Sequence, residues 1–429
     1  MTIKSAARVT VALAATFGMF SVAAAETLYI TADRMIDVLA GKTIEQPAVI
    51  VEGDRIANVG SRSQLPAPAG ARQLSLNGMT LLPGLIDMHV HLTFRHDMHG
   101  YRRLGISIPK LAIDSVAHAE ATLLAGFTAA RDVHAVGYTD VALRDAINEG
   151  RVKGPRLWVS GPSLGATGGH SDSNLLAPQF AYHEDGAVDG PWALVQKVRE
   201  VHKYGADLIK ISATGGVITK NTHFDSQELA PEEISAIVGE AHRLGMKVAA
   251  HAHGASGIKN AILAGVDTIE HASFIDEEGI KLAKQRGTYL TMDIYNTEYT
   301  LAVGEAAGYL PESLEKERIV GRMQRESFTR AVKGGARMLF GTDAALFPHG
   351  QNALQFSRMV QFGMTPMQAI QSATADAGRA LGAEHDVGAI AIGRFADLIA
   401  VPGDPLAEIS ILEKVPVVIK GGVVVKDAR

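Results

Sequence analysis

The sequence predicts an α/β chain: a (β/α)8 TIM-like barrel with a small β-sandwich domain formed from both ends of the mature chain. Three observations predict it. Through the middle of the chain, short apolar runs alternate with helical stretches, the pattern of βα units on a parallel sheet. Eight such runs can be counted, the number a barrel requires, over about 300 residues, which is within its range. Both flanks read instead as short strands separated by Gly and Pro turns. A doubly wound open sheet is the rival, but no Gly-x-Gly-x-x-Gly turn follows the first run and no Walker A loop is present.

In chain order, Lys4 and Arg8 precede an apolar run from Val9 to Phe20, and Ala23, Ala24 and Ala25 follow as an A-x-A pattern. That order is the n-region, h-region and small-residue site of a secretory signal peptide, residues 1–25. The run is shorter than the ~20 residues that span a bilayer, and nothing later reads as a span. A periplasmic or secreted product with no membrane association after cleavage is therefore expected. Residues 26–80 contain TLYITADRMID, PAVIVEGDRIANVG and most of ARQLSLNGMTLLP, alternating apolar segments with Gly-Asp and Asn-Gly turns. Residues 384–429 supply FADLIAVPGDP and VPVVIKGGVVVKD, which read alike. The two are expected to form one domain, since domain termini often lie close in space.

Between them, 81–383 is the expected barrel. Its candidate strands are TLLPGLIDMHVHL (80–92), FTAARDV (127–133), RLWVSGP (156–162), LIKISAT (208–214), KVAAHAHG (247–254), DTIEHASF (267–274), YLTMDIY (289–295) and ARMLFGTDA (336–344). Helical patterns separate most of them, for example 231–245 and 365–381.

Composition narrows the function. The 429 residues are 47% hydrophobic and 20% charged, the balance of a globular protein rather than a disordered one. The net charge of −5 with no basic block argues against nucleic acid as a partner. Cysteine is absent, which excludes disulfides, thiolate ligands and a cysteine nucleophile.

In a barrel, chemistry sits at the C-terminal ends of the strands. His89 and His91 end the first, Lys210 lies in the fourth, His251 and His253 in the fifth, His271 in the sixth, and Asp343 ends the eighth. Residues two apart on a strand share a face, so each His-x-His pair can look into one mouth. With 16 histidines, one such pair is near chance. Convergence of five histidines and an acid from four strands is what points to a divalent metal, and imidazole with carboxylate suits Zn²⁺. A buried Lys210 is costly as an ammonium, which leaves a Schiff base or a CO2-derived carbamate as its functional readings.

The runs GLIDMHVHL (84–92), LIKISATGG (208–216), HAHG (251–254), IEHAS (269–273) and FGTDAA (340–345) resemble the metal-dependent amidohydrolase superfamily. Residues 349–374 and 388–405 resemble its imidazolonepropionase-like branch, which includes Xaa-Pro-type dipeptidases and ochratoxin-hydrolysing enzymes. The resemblance covers essentially all of the mature chain. It implies two divalent metal ions, most simply Zn: one on His89, His91 and Asp343, the other on His251 and His271, with carbamylated Lys210 bridging both. His253 is not a ligand in that pattern and would polarise the scissile carbonyl, while Asp343 would serve as general base and acid. One departure is Met88, where relatives commonly carry Ser, Thr or Ala. The branch also implies a homo-oligomer, octamers among them.

Substrate contacts are expected from His170 in the Gly-rich loop 161–173 and from Arg131 and His134 at the end of the second strand, the latter two holding a carboxylate. Loop 214–227 is long enough to fold over the mouth as a lid. The reading is an exported amidohydrolase that cleaves the amide bond to a C-terminal amino acid in dipeptides or N-acyl amino acids, ochratoxin-type amides included. A cyclic-amide hydrolase resembling imidazolonepropionase is the alternative within the same class. A non-catalytic periplasmic binding protein is the alternative outside it.

Overall fold

The computed structural model describes residues 27–429; the expected signal peptide lies outside the described residues. Strands β1–β5 are Thr27–Asp37, Lys42–Glu45, Pro47–Glu52, Arg55–Ser61 and Arg72–Pro83. They join β14–β16 (Leu398–Pro402, Val417–Lys420 and Val423–Asp427) in one eight-stranded sheet, ordered β16-β15-β14-β5-β1-β3-β4 with β2 on β1. Hydrogen bonding therefore links both ends of the described chain in a single sheet, and the pairing itself shows no second one. Gly421-Gly422, at φ 54° and 74°, closes the last hairpin as a two-residue turn that favours left-handed backbone. The Asn-Gly at 77–78, read from sequence as a turn, is instead a bulge inside β5, where that strand advances from Leu76 to Thr80 while β1 advances only from Ala32 to Arg34.

The middle of the chain is α/β. Eight parallel strands, β6–β13, are Leu85–Val90, Phe127–Asp132, Arg156–Val159, Leu208–Ser212, Lys247–Ala252, Thr268–His271, Tyr289–Thr291 and Arg337–Leu339. They form a three-stranded sheet (β6-β7-β8) and a five-stranded one (β13-β12-β11-β10-β9). Isolated parallel bridges, Val90 with Ala344 and Leu164 with Ile211, connect the edges of the two. Each candidate strand is present but shorter than read. The first divides at Gly84, with residues 80–83 in the end sheet and 85–90 in β6. A Cβ on Gly84 would lie 2.0 Å from Thr128 Oγ1, so only glycine lets the chain cross there.

The helical pattern at 365–381 is two helices, Pro366–Ser372 and Ala375–Leu381. They part at Ala373, whose carbonyl accepts from Ile86 N at 2.8 Å and so ties the break to β6. The faces of the parallel strands differ sharply. Ile209, Ile211, Val248, Ala250 and Ile269 join the large core shared with the helices. Leu208 and Ala249 face the other way, in a small cluster with Val133. Alternation then places Lys210, Ser212 and His251 on that inner face. Among the described residues no helix is long and apolar enough to cross a membrane.

Candidate active site

The inner faces of the parallel strands end in one cavity, lined by His89, His91, His134, His170, Lys210, His251, His253, His271 and Asp343. Nine of the ten site residues read from sequence therefore meet. Arg131 does not reach the cavity: it is buried below it, with Nε on Met88 O at 2.6 Å, Nη1 on Thr268 Oγ1 at 3.0 Å and Nη2 on Glu270 Oε1 at 2.6 Å. Its donors are spent on the protein, so the expected hold on a substrate carboxylate is corrected. Another arginine, Arg103, takes the place in the cavity wall that sequence gave to Arg131.

Two backbone features turn the ligand-type side chains inward. On β11, Thr268 and Glu270 both bond Arg131 while Ile269 joins the outer core, so simple alternation would send His271 outward with Ile269. His271 has φ 71°, a left-handed conformation costly for a residue with a Cβ, and this rotates its ring into the cavity. Asp343 is left-handed too, at φ 57°, with its amide held by His89 O at 2.8 Å.

The geometry is that of a ligand cluster. His91 Nε2 lies 3.1 Å and His89 Nε2 3.6 Å from Asp343 Oδ1. His89 Nε2 and His91 Nδ1 are buried without a hydrogen-bond partner among the described residues. Ring centroids separate His89 from His271 by 4.9 Å, His251 from His271 by 4.5 Å and His251 from His253 by 4.6 Å. So many imidazoles cannot all be charged together. Burial pushes His89, His251 and His253 well below the usual histidine range, which leaves them neutral with lone pairs to donate. Burial alone would raise the Asp343 carboxyl, but His89 and His91 beside it hold it well below the usual carboxylate range.

Among the described residues two sets could hold an ion: His89, His91 and Asp343; and His271, Asp293 and Asp343. Asp293 was missed in the sequence reading. Its Oδ1 lies 2.8 Å from His271 Nδ1 and accepts from Gln324 Nε2 at 2.8 Å, while Oδ2 accepts from Asn296 Nδ2. Both oxygens being occupied, Asp293 suits the orienting carboxylate behind His271 better than a ligand. Burial lowers protonation of His271, yet the Asp293 charge outweighs it and draws the imidazole upward. Glu270 plays the same part behind His89, with Oε2 2.9 Å from Nδ1. His251 stands outside both sets, with Nε2 3.3 Å from Gly215 O.

Lys210 is 4% exposed, and burial brings its amine down to about 8. His253 Nδ1 meets Ser273 Oγ at 2.8 Å. His170 stacks on His251 at 4.0 Å, its Nδ1 2.7 Å from Thr219 Oγ1, and burial lowers it to about 3. His134 Nδ1 accepts from Ser163 N at 3.0 Å and its ring stacks on Phe94. Loop 214–227 covers the cavity with Val217, Ile218 and Thr219. Lys316 straps it down, donating to the carbonyls of Gly216, Thr219 and Thr222 at 3.1, 2.7 and 3.2 Å.

Residues 80–425 match the model of the amidohydrolase family. Ochratoxinase of Aspergillus niger is 32% identical over 395 residues, covering 87% of this chain and 81% of the relative. A crystal structure of a Xaa-Pro dipeptidase with methionine bound in its active site superposes with a TM-score of 0.88 at 36% identity, over 94% of this chain and all of that one. Imidazolonepropionase of Acinetobacter baumannii is 24% identical over 390 residues, covering 83% of this chain and 88% of the relative.

Proposed function

The chain belongs to the amidohydrolase family, a hydrolase acting on amide bonds, and from that premise we propose a binuclear metal enzyme that cleaves the bond to a C-terminal amino acid in dipeptides or N-acyl amino acids. The observation that carries it is the orphaned, buried His89 Nε2 facing Asp343, a lone pair that nothing among the described residues satisfies. Such a donor set, neutral nitrogens with one depressed carboxylate, fits a divalent cation, and zinc is the ion proposed. His89, His91 and Asp343 would hold one ion, His251 and His271 the other. Lys210 as a CO2-derived carbamate would bridge them, because an ammonium there would be repelled by both. Closure of β6–β13 as a (β/α)8 barrel is part of the same reading, supported by the two bridges between the sheets.

Two divalent ions would supply Lewis-acid polarisation of the amide carbonyl and acidify the attacking water. Asp343 takes the proton of that water and passes it to the leaving amine. With Ser273 as the donor to His253 Nδ1, Nε2–H would be free to stabilise the developing oxyanion. The leaving amino acid brings a carboxylate, and Arg103 is the cavity cation fitted to it. Arg95 is locked to Asp97 at 2.9 Å and Asp114 at 3.4 Å, whereas Arg103, lying 5.6 Å over the Phe94 ring, has among the described residues one long ion-pair contact, 3.7 Å to Glu184. Export through a leader cleaved after Ala25, and assembly as a homo-oligomer, belong to the proposal as well.

Chelated protein should lose hydrolysis of N-acyl-phenylalanine and Xaa-Pro dipeptides and regain it with Zn²⁺. Turnover of cyclic amides instead of these would replace the proposal with the cyclic-amide reading.

A further inference from the structure

One cavity-lining acid has no part in the chemistry above. Glu317, on helix Pro311–Lys333 between β12 and β13, is 7% exposed, and its Oε1 accepts from Thr297 Oγ1 at 2.6 Å. It forms no ion pair among the described residues. The cations that act on it are engaged elsewhere: His271 with Asp293, Arg325 with Ile294 O and Glu298. Burial pushes the Glu317 carboxyl up to about 7. A carboxylate taken from water without a counter-ion is costly, and if its task were only to accept from Thr297, a neutral amide would serve without that cost. An acid kept at this place gains from a cation that arrives with the ligand.

Arg103 and Glu317 come from different walls, the first from the segment after β6 and the second from the helix after β12. The cavity thus carries one available cation and one uncompensated acid, both bordering the space that holds the histidine cluster. An unblocked dipeptide has matching charges, a carboxylate on the leaving residue and an ammonium on the acyl residue. We propose that Glu317 receives the α-ammonium of the acyl residue, which makes free dipeptides, rather than N-acyl amino acids, the favoured substrates. The proposal rests on the reading of the site as an amide hydrolase releasing a C-terminal amino acid.

Alanyl-phenylalanine and its desamino isostere propionyl-phenylalanine differ at that ammonium alone, and the metal-replete enzyme can be assayed on both. Wild-type kcat/KM should favour the dipeptide by tenfold or more, with the difference in KM. In Glu317→Gln the ratio should fall towards the small value that the inductive effect of the ammonium gives by itself. A wild-type ratio near one overturns the proposal without any variant, and so does a Glu317→Gln ratio equal to the wild-type one. Hydrolysis of neither compound overturns the amide-hydrolase reading itself, and the role of Glu317 with it.

Discussion

His89 and Glu270 lie on strands that do not pair, yet His89 Nδ1 and Glu270 Oε2 meet at 2.9 Å where neither is open to solvent. The other Glu270 oxygen takes Arg131 Nη2 at 2.6 Å and the Thr268 hydroxyl. A cation, an acid and an imidazole thus stand in line beneath the cavity. The carboxylate fixes the imidazole with its proton on Nδ1 and its lone pair on Nε2, the form a metal needs.

That line predicts two separable losses. Glu270→Gln keeps the packing but weakens the orienting bond, and metal affinity should fall by about 10–100-fold, read by competition with a chelating dye. Arg131→Met leaves Glu270 buried without its partner, which should cost about 3–5 kcal/mol of stability in urea unfolding. Wild-type stability for Arg131→Met would refute the ion pair.

Lys210 is tested by chemical rescue. Lys210→Ala should abolish amide hydrolysis and weaken metal binding without unfolding the protein. Because a carbamate is in effect a carboxylate, added acetate or propionate should restore part of the activity. Asp343→Ala should not respond, since what it lacks is a proton carrier. Lys210→Ala with wild-type turnover would end the bridging role.

The strands were legible because eight short apolar runs alternate with helical stretches through the middle of the chain. The metal-type residues were legible because strand ends place them together. Depth was not. Arg131 sits in β7 with a side chain pointing inward, and no pattern tells an inward residue below the cavity from one lining it. Asp293 follows β12 and passes the same test as Asp343, so its signal was present and unused. Glu270 precedes His271 in IEHAS, hidden because alternation pairs it with Thr268 rather than with the histidine. Glu317 lies in a run crowded with charge, ESLEKERIV, where one buried acid looks like its solvated neighbours.

Acid sensitivity should come in part from His349. Its Nε2 lies 3.1 Å from Phe94 O, its ring stacks on His118 at 4.3 Å, and burial lowers it to about 3. Between pH 6.5 and 3 the unfolded chain holds a proton there that the native one does not, so stability falls as pH falls through that window. His349→Gln keeps a donor for Phe94 O and cannot titrate. Its unfolding free energy between pH 4 and 6 should change less steeply than wild type, by about 1.4 kcal/mol per pH unit for one proton. Parallel slopes would show that His349 is protonated in the native state.

The metal count distinguishes a one-ion site from a two-ion site. His89 and His271 belong to different sets that share only Asp343, and each is oriented by its own carboxylate, Glu270 and Asp293. If both sets are filled, purified wild-type protein should hold about two divalent ions per chain. His89→Ala and His271→Ala should then each lose one ion more readily than the other, and Asp343→Ala should weaken first the ion held with His89 and His91. The order of loss during stepwise chelation carries the information, because a damaged site empties first. If the protein holds a single ion that His271→Ala leaves in place, the second set is not a metal site. His271 would then serve as a polar wall of the cavity, its left-handed backbone retained for substrate contact rather than for a ligand.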